Sequence, residues 1–349
     1  MIRGYLLEED FLDLKQKYAL FNSHCKESII YHVGTGAGLY SELGSMLECM
    51  VYCYIHKIKF VLYADDANFS NNGWTDFFEE FCEMSHNKLN HSFNYRFKSH
   101  FRWKGILLPN LFFRRFLFPQ ILKWKEHVTY LTQDKFTEIV SKKLKETKFT
   151  WHDFGIVNGT IPTDYAKLRG LALRYNEETR LEIENRIKEL QLPEHYVSIQ
   201  IRGGDKALEF QNVMDAEFCL RKVDESKYPV ENIFVFTDDY RNVEFIRKNR
   251  PQWNVYTLTR PEERGYYNSN FNEQSWEYRK DNLLKVFAIV EICINSDLHF
   301  GNRQACINHI IESARNRMPY FELDNGCSHV KKSLVSEFVR RVIKRKKYY

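Results

Sequence analysis

Between Val197 and Glu322 short β-prone runs alternate with helical patterns, and that alternation leaves the chain few architectures. Val197, Ile199 and Ile201 alternate with Ser198 and Gln200, the two-residue period of a strand. Further strands are expected at Ile233 to Phe236, Asn254 to Leu258, Leu298 to Phe300 and Tyr320 to Glu322. Helical patterns lie between them, over Ala216 to Asp224, Asn242 to Lys248, Trp276 to Asn295 and Ile307 to Arg315. Strands joined through helices pair in parallel, so this half reads as a doubly wound α/β sheet. Ligands of such sheets bind at the carboxyl ends of the strands. The strand Val197 to Ile201 ends there in Arg202-Gly203-Gly204-Asp205-Lys206, and a guanidinium beside two residues without side chains can pair with a phosphate through its fork of donors.

The first half opens with a polar helical lead-in over residues 1 to 26, then repeats the same theme. A strand at Ser28 to Val33 breaks into Gly34-Thr35-Gly36-Ala37-Gly38, a long helix follows to Tyr54, and Lys59 to Tyr63 is a second strand ending in Ala64-Asp65-Asp66. This is a βαβ unit with a glycine turn, where backbone N–H groups and a helix N-terminus can approach a diphosphate. A nicotinamide-binding domain would use Asp65 or Asp66 for the ribose, but Asp65 lies 27 residues after Gly38, beyond the usual interval of about 20. A GxxxxGK[ST] phosphate loop is absent from the sequence. Asn68 to Phe81 reads as a turn into an aromatic-rich helix, Leu111 to Phe118 and Phe136 to Lys145 as further helices, and Asp164 to Leu190 as a helical bridge to the second half.

At 349 residues the chain can form two domains with their own cores, and 44% hydrophobic and 15% aromatic residues suit a folded protein. The boundaries fall at 1–180, an α/β domain with the glycine loop, at 181–330, a Rossmann-like domain, and at 331–349, a basic tail. That tail carries eight Lys and Arg against Glu337 alone, with Leu334, Val335, Phe338, Val339, Val342 and Ile343 at helical spacing. An amphipathic helix of this kind docks on the body or meets an anionic membrane surface. The net charge of +5 rests on the tail, and the mildly acidic remainder lacks the broad basic footprint of a nucleic-acid binder. The longest apolar run, Met46 to Ile55, is short and contains Glu48, and the N-terminal acids leave no room for a signal-peptide core, so a cytoplasmic protein is expected. Eight scattered cysteines without CxxC spacing, and histidines such as His152, His195, His299 and His309 without partners at ligand spacing, point to reduced thiols and no metal site.

The ordered set of motifs resembles the α1,6-/α1,2-/protein O-fucosyltransferase superfamily, and within it the α1,6 branch of core and nodulation fucosyltransferases. The motifs are the glycine turn into a long helix at Gly34 to Tyr54, Gly73-Trp74, the IRxxDK strand end at Ile201 to Lys206, and Thr237-Asp238-Asp239. They span roughly residues 28 to 315. The resemblance implies a GT-B-like α/β fold, two Rossmann-like domains facing a cleft, with the donor held by the second and the acceptor by the first. It implies an inverting, metal-independent glycosyltransferase that needs no cofactor and moves fucose from GDP-fucose to a glycan hydroxyl. Arg202 matches the arginine on the donor diphosphate, Asp205 and Lys206 the acid and lysine after it, and Gly34, Gly36 and Gly38 the loop near the donor phosphates. Glu209 is nearest to the catalytic carboxylate, with Asp205 its rival. Gln200 stands where the family has histidine, and Gly203 where it has a second arginine. Glu291 takes the place of the acid that reads guanine, and Arg303 and Gln304 that of the small-hydroxyl loop.

Adjacent acids on a strand point to opposite faces, so Asp238 and Asp239 suit a polar contact to donor or to the Arg202 turn better than a shared metal. Three other readings stay open. One is a related GT-B transferase for another nucleotide sugar, such as a xylose or rhamnose donor. The second is a nicotinamide-dependent oxidoreductase resting on Gly34 to Asp66, and the third a silent glycan- or nucleotide-binding module.

Overall fold

The structure, a computed structural model, describes residues 6–34, 38–65, 67, 69–88, 90, 102–103, 106–107, 117–128, 130–132, 144, 147–159, 166–204, 215–302, 305–315 and 319–323. The expected helix at 136–145 and the basic tail 331–349 lie outside these residues, apart from Leu144.

Helix α1 (Glu8–Ser23) leads into β1 (Glu27–His32), α2 (Leu39–His56) and β2 (Ile58–Tyr63). Two short strands, β3 (Arg102–Trp103) and β4 (Ile106–Leu107), pair antiparallel, and α3 (Phe118–Glu126) precedes β5 (Tyr130–Thr132). The first sheet is parallel with order β2-β1-β5. Helix α2 stops at Lys57, which turns left-handed at φ 54° so that its N–H closes onto the Cys53 and Tyr54 carbonyls.

A second antiparallel pair, β6 (Phe149–Trp151) and β7 (Ile156–Gly159), follows. Two helices then replace the single helix expected over Asp164 to Leu190: α4 (Ala166–Ala172) and α5 (Glu177–Glu189). The break has a local cause. Asn176 caps α5 by accepting the Thr179 N–H at 2.9 Å, which needs an extended backbone, and Tyr175 just before it turns inward onto Phe78. The boundary placed at 180/181 falls inside α5.

The second half contains β8 (Val197–Ile201), α6 (Ala216–Ser226), β9 (Asn232–Thr237), α7 (Tyr240–Asn249) and β10 (Asn254–Tyr256). After α8 (Asn268–Asn272) come α9 (Trp276–Asn295), β11 (Leu298–Gly301), α10 (Cys306–Ala314) and β12 (Tyr320–Glu322). All neighbours pair in parallel, in the order β10-β9-β8-β11-β12. The chain winds one way from β8 to β10 and then returns to the other side of β8, so the strand order reverses between β8 and β11. Such a switch point opens a crevice at the strands' carboxyl ends.

Side chains of β8 divide between the two faces of this sheet. Val197, Ile199 and Ile201 pack with Leu220 of α6 and Val243 of α7. Ser198 and Gln200 face the other way, toward α9 and α10. Helix α9 is buried from Leu283 to Ile294 and mostly apolar there, and its two buried charges are paired, Lys285 with Glu263 and Glu291 with Arg169. It belongs to one continuous core with α1, α2, α4 and α10, so the two sheets share a common helical layer. Aromatic rings extend that core: Trp151 stacks on Tyr54 at 3.9 Å, and Phe287 of α9 meets Phe77 at 5.3 Å and Tyr175 at 5.2 Å. The aromatic stretch 69–81 forms no long helix. Asp76 accepts the Asn71 and Asn72 N–H groups, leaving a single 3-10 turn at Trp74–Asp76, and the rings go inward.

Candidate functional site: the switch point at Arg202

Arg202 follows β8 at the point where the strand order reverses. Its turn is fastened by Asp238, which follows β9. One Asp238 carboxylate oxygen accepts the Gly203 N–H at 2.8 Å, the other accepts the Tyr266 N–H at 3.1 Å, and the Asp238 carbonyl accepts the Gly265 N–H at 2.7 Å. Three backbone donors thus converge on one residue. The two loops meet through glycine: at Gly204, with φ +55°, a Cβ would lie 2.6 Å from the Tyr266 nitrogen and closer still to its carbonyl oxygen. Across from it Gly265 has φ +107°, and a Cβ there would lie 3.1 Å from the Gly204 Cα. The Arg202 guanidinium sits over the Tyr266 ring, 5.7 Å from its centroid. Asp238 thus makes a polar contact to the Arg202 turn.

Asp239 turns away from that turn. It caps α7 by accepting the Arg241 N–H at 3.0 Å and pairs with the Arg241 guanidinium, whose bonds hold its carboxyl below the ordinary aspartate value. Its neighbour Asp238 is the one joined to the site.

Gln200 is buried two residues before Arg202 and accepts the Asn308 side-chain N–H of α10 at 2.5 Å. His299, expected to be structural, is wholly buried in the same region; burial and the nearby Arg315 cation push its pKa down to about 3, so it is neutral.

Of the glycine run, Gly34 and Gly38 are described. The Gly34 N–H donates to the buried Glu42 carboxylate at 2.7 Å, in the first turn of α2, so that N–H is committed within the protein. Gly38 caps α2 with its carbonyl, accepting the Ser41 N–H at 2.9 Å. Asp65, the candidate ribose acid, pairs with His86 at 2.9 Å. Glu291 faces the shared helical layer, where it pairs with Arg169 of α4 at 3.4 Å. Burial lifts its pKa to about 7 against the pull of that arginine. The structure thus groups Arg202, Gln200 and Asp238 at the second sheet and gives Asp239, Gly34 and Glu291 other partners. Asp205, Lys206, Glu209, Gly36, Arg303 and Gln304 lie outside the described residues.

Gly265, Tyr266 and Asn308 were not legible as site residues. Their only sequence signal is a glycine before two tyrosines, Gly265-Tyr266-Tyr267, and an asparagine one turn into an amphipathic helix.

Neither a family model nor a curated protein sequence matches the chain. Solved structures do. The crystal structure of fucosyltransferase NodZ from Bradyrhizobium is similar with a TM-score of 0.52 at 11% identity, over 87% of this chain and 98% of its own. The fold is fucosyltransferase-like. NodZ α-1,6-fucosyltransferase soaked with GDP-fucose shows the same coverage with a TM-score of 0.51 at 10% identity, and the form co-crystallised with GDP 0.50 at 12%. In this fucosyltransferase-like, GT-B-like arrangement Arg202 stands at the switch point of the second sheet.

Proposed function

We propose that the protein is an inverting glycosyltransferase that moves fucose from GDP-fucose to a glycan hydroxyl, with Arg202 holding the donor diphosphate. The observation that carries this reading is the position of the guanidinium: a cation at a switch point, on a turn that Asp238 holds through the Gly203 N–H and that packs against the Gly265-Tyr266 loop, which Asp238 also holds. Support from the fold comes from a neighbour crystallised with GDP and soaked with GDP-fucose.

In the reaction the bond between the sugar C1 and the β-phosphate oxygen breaks while the acceptor oxygen attacks C1 from the opposite face. The leaving GDP gains negative charge, which Arg202 receives through charge-assisted hydrogen bonds. The acceptor's proton passes to a carboxylate, for which Glu209 and Asp205 are the candidates. Preorganisation matters because a turn that is already fixed does not have to reorganise as charge develops.

Incubation with GDP-fucose tests the reading. The wild-type chain should release GDP, slowly by hydrolysis and faster once an acceptor glycan is found. Arg202→Ala should abolish release with its melting temperature unchanged; full turnover in that variant would sink the assignment. If Glu209 is the base, Glu209→Gln loses transfer and keeps donor affinity.

A further inference from the structure

A chain of buried polar side chains runs through the second domain beneath Arg202, and its hydrogen-bond directions can be derived from its fixed ends. At one end Arg315, buried after α10, can only donate. It gives N–H bonds to the carbonyls of Cys293 at 2.6 Å and Pro319 at 2.7 Å, and to the Ser296 hydroxyl at 2.9 Å. Ser296 and Ser198 lie 2.7 Å apart, and Ser198 lies 2.7 Å from His299 Nδ1.

At the other end the Asn302 carbonyl can only accept. The Asn308 atom 2.7 Å from it is therefore the amide nitrogen. That nitrogen also meets Gln200 at 2.5 Å, so the Gln200 atom facing it is the carbonyl oxygen Oε1. The remaining Asn308 atom is an acceptor, and it faces His299 Nε2 at 3.2 Å, so Nε2 carries the proton. The imidazole is neutral in this setting, which leaves Nδ1 as the acceptor of the Ser198 hydroxyl proton.

From Ser198 onward every bond points one way, through His299 and Asn308 to Gln200, while the Ser296 hydroxyl, which accepts from Arg315, also has the Cys293 carbonyl at 2.9 Å to donate to. The chain ends at Gln200 Nε2, a buried donor without a hydrogen-bond partner among the described residues. Gly301 keeps the passage narrow: a Cβ there would come within 2.8 Å of His299 Nε2 and 3.0 Å of the Asn308 amide carbon. Ser198, Gln200 and Arg202 share one face of β8 and its extension, so the buried, orphaned amide lies on the same face of the sheet as Arg202, two residues before it.

We propose that His299 and Asn308 are positioning residues that lock the Gln200 amide with its N–H edge turned away from Asn308, as a second hydrogen-bond donor, on the same strand face as Arg202, for the anionic diphosphate of a nucleotide. The inference rests on the proposed role of Arg202. It adds that amide orientation, and not charge alone, prepares this strand end for an anion. A reversed amide would offer a carbonyl oxygen to the phosphate and repel it. Asn308→Asp forces that reversal: the new carboxylate can only accept, so Gln200 must turn its N–H inward.

Calorimetric titration of GDP into the full chain tests this through a double-mutant cycle. Asn308→Asp and Gln200→Met should each weaken GDP binding by about tenfold, the scale of one lost bond to a charged group. The double variant should bind no more weakly than the weaker single one, because Asn308 acts only through Gln200. Additive losses, or an Asn308→Asp chain that binds GDP like the wild type, overturn the proposal while leaving Arg202's role intact. A wild-type chain that binds no GDP overturns both. Should Asn308→Asp fail to fold, nitrogen NMR of the wild-type imidazoles decides. His299 should be the neutral Nε2–H tautomer from pH 5 to pH 8, and an Nδ1–H tautomer, or titration within that range, overturns the derivation.

Discussion

Asp238 accepts the backbone N–H of Gly203 at 2.8 Å, and through that bond the end of β9 sets the course of the chain as it leaves β8. The second oxygen of the same carboxylate accepts the Tyr266 N–H, so the acid serves two loops at once. Asp238→Asn keeps the size of the side chain but sets an amide N–H against one of these backbone donors. We expect a loss of about 1 kcal/mol in urea unfolding, the scale of a half-buried donor left unpaired, together with weaker GDP binding. Unchanged stability and unchanged binding would show that the turn holds without Asp238.

Gly204 and Gly38 make a matched pair of glycine substitutions. At Gly204 the backbone is left-handed and a Cβ would run into Tyr266, whereas at Gly38, with φ −64°, nothing lies within 4 Å. Gly204→Ala should lower both stability and donor affinity, because one loop must yield. Gly38→Ala should cost only about 1 kcal/mol, because alanine is a poorer N-cap than glycine but meets no clash there. Equal melting temperatures for the two variants would contradict the close approach of the loops.

Glu291 and His299 should bend the pH dependence of stability in opposite senses. The folded pKa of Glu291 is raised from 4.5 to about 7, so between these values the folded state holds more protons than the unfolded one. Its stabilisation is present below pH 4.5 and is lost as pH rises through 7, by on the order of 3 kcal/mol at most. The folded pKa of His299 is lowered from 6.5 to about 3, so its contribution is present above pH 6.5 and is lost as pH falls through 3. The two partly offset in the wild type, and a single substitution reveals each. Glu291→Gln should remove the decline between pH 4.5 and 7 in denaturant unfolding; an unaltered profile would mean that Glu291 is ionised normally in the fold.

Much of the second half was legible from sequence because its elements are set by local pattern. Helix α9 starts where Ser275 accepts the Tyr278 N–H and ends at the expected Asn295, and every expected strand from Val197 to Glu322 exists. The Arg202 strand end could be placed because a strand's carboxyl end in a parallel sheet is a functional location on topology alone. What escaped are relations between distant backbones. Gly265 reaches Gly204 through turns that hydrophobic periodicity does not encode, and Arg169 meets Glu291 across 122 residues. The aromatic stretch before Phe81 misled because rings that suit a helix face also suit a tertiary cluster, and Asp76 favours the turn. Nor does anything in the spacing of the glycine run show that Glu42 closes back onto Gly34.

The dissociation constant of GDP for Arg202→Ala, measured against the wild-type chain, tests the central claim most directly. A guanidinium that clamps the diphosphate is worth about 1.5–3 kcal/mol of charge-assisted bonding, so binding should weaken by at least about tenfold while the melting temperature stays put. Equal affinity for GDP in the two proteins would contradict the account.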